Sequence, residues 1–115
     1  MYLLVNILEQ TQYLSAILEG FAKIGIKGTT VISSTGMGRV LMQTKASTQL
    51  LEHISKVITD LESSNKTMLT VIKEKSLLDQ AINIVKCFCG DLSEPGKGIL
   101  FVLRLDHVEG LIEAD

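Results

Sequence analysis

The feature that most constrains this chain is a strand–helix–strand order that occurs twice in 115 residues. Alternating apolar residues from Tyr2 to Leu8 predict a strand, and Tyr13, Leu14, Ile17, Leu18, Phe21 and Ile24 then recur on one helix face. Gly25 and Gly28 bracket the helix exit, and Thr29-Thr30-Val31-Ile32-Ser33 has the β-branched content of a second strand. The order returns with Thr67–Ile72 as a strand and Leu77, Leu78, Ala81, Ile82, Val85 and Phe88 as a helix face that stops near Gly90. After a loop carrying Pro95, Gly96 and Gly98 comes Ile99–Leu103, apolar enough to be central in a sheet. Laid over each other, the halves pair Glu9 with Glu74, Tyr13 with Leu78, Ala16 with Ala81, Ile17 with Ile82 and Gly25 with Gly90. Gly28 meets Gly98 after a short insertion.

Two βαβ units sharing one four-stranded antiparallel sheet, with both helices on one face, satisfy the right-handed crossover rule in each half. The expected class is therefore α+β, a ferredoxin-like βαββαβ sandwich, in preference to a doubly wound sheet. The opposite sheet face lies bare in such a fold, so apolar residues there need a cover, most naturally a second subunit. Between the halves, Leu50, Leu51, Ile54, Val57, Ile58 and Leu61 form an amphipathic stripe behind the capping residues Ser47 and Thr48. They predict a helical insertion at about 40–66, packed on the sheet or a neighbour, or serving as a docking element. The chain is read as a single domain, 1–115.

With 46% hydrophobic and 21% charged residues the balance is globular, and a net charge of -2 gives no broad attraction to nucleic acid. The apolar opening lacks a basic leader and is cut short by Glu9, so no membrane insertion is expected. Cys87 and Cys89 lie two apart in a helical pattern, point to different faces, and read as structural thiols in a reducing cytoplasm. His53 and His107 have no neighbouring Cys or His, so no metal site is expected. Asp60, Glu62, Asp106 and Glu109 read as solvated charge, and no acid/base pair or activated nucleophile stands out.

Two loops suggest ligand chemistry. In Gly36-Met37-Gly38-Arg39, after the second strand, paired glycines let the backbone approach an anion beside a guanidinium, although a bulge or tight turn would use the same residues. Glu94-Pro95-Gly96-Lys97-Gly98 precedes the last strand, and its Lys and backbone donors are expected near the sheet edge that the first glycine turn approaches. Together they suggest a cleft that is neither a Walker motif nor a Rossmann fingerprint.

The order strand, helix, Gly28-Thr29-Thr30-Val31, Gly36-Met37-Gly38-Arg39, insertion, strand, helix, glycine loop and Ile99-Leu100-Phe101-Val102 resembles the PII nitrogen-regulatory signal-transduction family. The resemblance implies a non-enzymatic, cytoplasmic homotrimer that binds ATP, ADP or AMP, or another small anionic metabolite, between subunits and docks on a regulated enzyme or transporter. By position it implies Thr30 near the adenine or ribose, Gly36, Gly38 and Arg39 at the base of the signalling loop, and Gly96, Lys97 and Gly98 around the phosphates. Several family positions differ here. Val40 stands where the family has a magnesium- and 2-oxoglutarate-holding Gln, Ile99 where it has a lysine, and Gly110 and Ile112 where it has arginines. No tyrosine lies between Arg39 and Lys66, so the tyrosine nucleotidylation of some members has no acceptor there. The alternatives are a ferredoxin-like interaction module without a nucleotide, or a metal-tolerance protein of the CutA-like kind.

Overall fold

The computed structural model describes residues 1–37 and 65–111. The expected insertion helix, Gly38, Arg39, Val40, His53, Asp60, Glu62 and Ile112 lie outside the described residues. In chain order the elements are β1 (Tyr2–Leu8), a short 3-10 turn (Thr11–Tyr13), α1 (Leu14–Lys23), β2 (Thr29–Ser34), β3 (Asn65–Ile72), α2 (Lys75–Cys89) and β4 (Ile99–Arg104). The four strands form one sheet in the order β2-β3-β1-β4. Every pairing is antiparallel, with Leu4 opposite Thr70 and Val102, and Thr30 opposite Leu69. This is the ferredoxin-like α+β arrangement that the doubled βαβ order predicts.

The local reasons are legible. Helix α1 ends because Gly25, at φ 95, turns the chain into the left-handed region. Its N–H then reaches the Ala22 carbonyl at 3.1 Å, while Ile26 N–H reaches Phe21 at 2.9 Å. That pair of bonds is a Schellman stop, and it also delivers Ile26 into the core. Helices α1 and α2 approach closely at Gly20, where a Cβ would sit 2.9 Å from Ile84 Cγ2. Any larger residue there would push the helices apart. Both helices cover one sheet face, burying Ile17 and Phe21 from α1 and Leu78, Ala81, Val85 and Cys89 from α2 against Leu4, Leu8, Met68 and Ile72.

Burial corrects the internal repeat by one residue. Leu4 and Leu8 occupy the places of Met68 and Ile72, and Ile17 and Phe21 those of Ala81 and Val85, whereas Ile82, the expected mate of Ile17, is only half-buried. Aligning Gly25 with Gly90 misled the comparison because Gly90 is itself the cap of its helix, whereas Gly25 lies one residue beyond the cap Ile24.

The closing strand needs a second correction. β4 is an edge strand, not a central one. Its apolar side chains project on both faces, and those at Ile99, Phe101 and Leu103 share the helix-free face with Leu3, Val5 and Ile7. Leu69, Val71 and Ile32 extend that face across the sheet. Ile32, Ile99, Phe101 and Leu103 are 47%, 52%, 40% and 49% exposed there. An apolar strand thus signalled a face awaiting cover and not a central place in the sheet. β3 also starts at Asn65, earlier than the run from Thr67, because Asn65 and Lys66 pair with Ser34 and Ser33 of β2.

Candidate functional site

Strand polarity brings both glycine loops to one end of the sheet. β2 runs toward Gly36 and β4 leaves from Gly98, while β1 ends and β3 begins between them, with Leu8 opposite Lys66. The loops do not share a sheet edge, as the sequence suggested, because two strands separate β2 from β4. That spacing amounts to about 14 Å. They flank one end of the sheet from its two sides. Ile7, Thr67 and Ile99 lie between them on the bare face, and the Ser34 and Thr67 hydroxyls meet there at 2.8 Å.

The second loop is shaped at Gly98. Its φ of 99 is left-handed, and a Cβ would collide with the Ile7 carbonyl oxygen and lie 3.4 Å from Glu9 N. Only glycine lets the loop pass this close to the end of β1. Upstream, Asp91 accepts from Ser93 N–H at 2.9 Å and from the Ser93 hydroxyl at 2.7 Å, which organises the turn leaving α2. Those two bonds hold the Asp91 carboxyl below its ordinary range. Gly96 takes φ 79 in open space, so its backbone faces no steric neighbour. Gly36 is different: it carries no left-handed φ, and a Cβ would make ordinary contact with Asn65 Nδ2 at 3.7 Å. The described part of the first turn therefore has no conformational need for glycine.

Lys97 is half-buried and stands near Cys89 at the end of α2. Burial pushes the Cys89 thiol up from its ordinary 9.0, and the Lys97 ammonium opposes that rise. Lys97 thus sets a positive charge beside the loop. Cys87 is exposed and Cys89 buried, both as free thiols, in line with the expectation that they point to different faces. Thr30, by contrast, lies on the bare face opposite Leu69, about 20 Å along the strand from Gly36. Within one chain it does not meet the glycine loops.

Two features had no sequence signal. Gln10 Oε1 is buried without a hydrogen-bond partner just beyond Glu9. At the opposite end of the sheet, a cleft of about 290 Å³ opens between the α1–β2 and β3–α2 connections. The cleft is lined by segments distant in sequence, so no local pattern announces it. Among the described residues no group of three His, Cys, Asp or Glu side chains could hold a metal, and no helix is long and apolar enough to cross a membrane. His107 faces Glu109 at 3.6 Å, with both side chains exposed.

Comparison with curated proteins returns no match. The family model described as nitrogen regulatory protein P-II matches residues 1–113, nearly the whole chain and both glycine loops. With the antiparallel βαββαβ sheet already established, the chain belongs to the P-II nitrogen regulatory protein family, a family of regulatory signal-transduction proteins.

Proposed function

We propose that this chain acts in the cytoplasm as a non-enzymatic homotrimeric sensor. It binds ATP, ADP or AMP between subunits and reports the bound state by docking on an enzyme or transporter. The observation that carries this reading is the bare apolar sheet face with glycine loops at one end and Thr30 toward the other. A second copy laid on that face would remove the half-exposed Ile32, Ile99, Phe101 and Leu103 from water, each contributing roughly half of the full-burial value, or about 1 kcal/mol. The same docking lets the Thr30 end of one subunit complete a site begun by Gly36, Gly96, Lys97 and Gly98 of another. Gly38 and Arg39 would join them from the base of the signalling loop.

The chemistry of the site would be carried by backbone donors and Lys97 with Arg39. The Val40 side chain has no oxygen to offer magnesium, so the nucleotide would be held without the family's Gln ligand. Calorimetric titration with ATP, ADP and AMP tests the proposal. Saturable binding by at least one, weakened by Lys97→Ala and by Arg39→Ala, is the expected result. Absence of saturable binding by all three would leave an interaction module that works through its assembly alone.

A further inference from the structure

Granted the nucleotide-binding reading above, on which the choice of ligand rests, we infer that the glycine-loop site takes a nucleoside monophosphate in preference to a triphosphate. A monophosphate carries about −1.5 to −2 charge at neutral pH, and each further phosphate adds about one more. The loops have no surplus positive charge to meet that increase. Among the described residues around them, Lys66, Lys86 and Lys97 stand against Glu9, Asp91 and Glu94. The segment 38–64, which brings Arg39, also brings Lys45 and Lys56 against Glu52, Asp60 and Glu62, so its signs balance as well.

The described cations are less available than their number suggests. Lys66 donates to the Ser33 hydroxyl at 2.8 Å, and its register sets it with Met68 on the helix-covered side. It is therefore turned from the face where Ile7, Thr67 and Ile99 lie between the loops. Asp91 is held below its ordinary range by the two Ser93 bonds and then by Lys86, so at neutral pH it is a full negative charge that occupies Lys86. Lys97 alone lies within the Gly96–Gly98 loop. The carboxylates, by contrast, are exposed and close. Glu9 N stands 3.4 Å from where a Gly98 Cβ would sit, and Glu94 opens the loop with its N–H bonded to the Asp91 carbonyl at 3.2 Å. Just beyond Glu9, the Gln10 Oε1 without a donor adds another negative dipole end.

The neighbour's Thr30 end would not make up the difference. There Lys27 and Lys73 line the cleft with Ile26 and Ile72 on the helix-covered side. Arg104, opposite Tyr2, shares the side of Leu100 and Val102 and not the bare face of Thr30. Lys97 and the open backbone at Gly96 can therefore meet one phosphate, while further phosphates find no free cation among the described residues and meet the field of Glu9 and Glu94.

Calorimetric titration of the intact protein with adenosine, AMP, ADP and ATP tests the choice, in EDTA so that no magnesium masks phosphate charge. AMP is expected to bind tightest, with ATP about fivefold weaker and ADP between them. Adenosine, which offers Lys97 no phosphate, should also be about fivefold weaker than AMP. In about 1 M sodium chloride the gap between ATP and AMP should shrink to within about twofold. Glu9→Gln combined with Glu94→Gln should close it equally at low salt, with ATP gaining more than AMP. The charge selection is overturned, and the nucleotide reading left standing, if ATP binds as tightly as AMP at low salt. The same holds if salt and the double change leave the gap intact, or if adenosine matches AMP. If none of the four saturates, the nucleotide reading fails and the charge selection with it.

Discussion

Leu4, Met68 and Ile72 on one face of the sheet and Leu3, Leu69 and Phe101 on the other are alike in chemistry, yet helices cover only the first set. The covered face holds the fold together from within one chain. The other face has similar apolar content but is not covered by a helix among the described residues, and in the proposed trimer a second copy would cover it. The comparison separates two roles that hydropathy alone merges: residues that make the subunit and residues that, in the proposed trimer, would make the assembly.

The largest expected effect is on the covered face. Phe21→Ala empties a fully buried site under both helices and should cost about 3–5 kcal/mol, read by urea denaturation. A loss below about 1 kcal/mol would erase the distinction between the faces. Next comes Gly98→Ala, which forces a Cβ against the Ile7 carbonyl at a left-handed φ. About 1–3 kcal/mol of stability should go, and nucleotide affinity with it, whereas Gly36→Ala should leave stability within about 0.5 kcal/mol. Equal effects at both glycines would mean that the two loops are built alike, contrary to their geometry.

A smaller effect concerns the thiol at the end of α2. Burial raises the Cys89 value in the folded protein above its ordinary 9.0. The neutral thiol is the form that the fold favours, so its contribution is complete below that value and is lost as pH rises through the higher folded value. Stability of the wild type should therefore decline in alkaline solution more than that of Cys89→Ala, and Cys87 should alkylate first at neutral pH. The smallest effect belongs to the exposed Lys75–Asp79 pair at 3.3 Å on α2, where Lys75→Ala should cost no more than about 0.5 kcal/mol and less in high salt.

The doubled βαβ order was readable because strand alternation and helix periodicity are local, and both strongly mark Tyr2–Leu8 and Lys75–Cys89. Strand order was less so. Ile99–Leu103 looks central by composition, but only pairing with β1 alone makes it an edge. The repeat slipped by one residue because glycine stops are easier to align than buried faces. Of the site, Gly98 was legible as a residue type, while its reason, the Ile7 carbonyl, lies in another strand. The distance between Thr30 and the loops follows from register, which no local pattern contains. The cleft behind Leu77 and Leu111 joins three separated segments and could be found only in the folded chain.

The central claim is that the bare sheet face joins subunits and that joining them makes the nucleotide site. Phe101→Asp places a charge on that face without touching the helix-covered core. Sedimentation equilibrium combined with ATP titration tests it most directly. The account predicts a wild-type trimer that binds ATP, and a Phe101→Asp protein that is folded, monomeric and unable to bind it. A monomeric wild type, or a Phe101→Asp monomer that binds ATP with undiminished affinity, would contradict it.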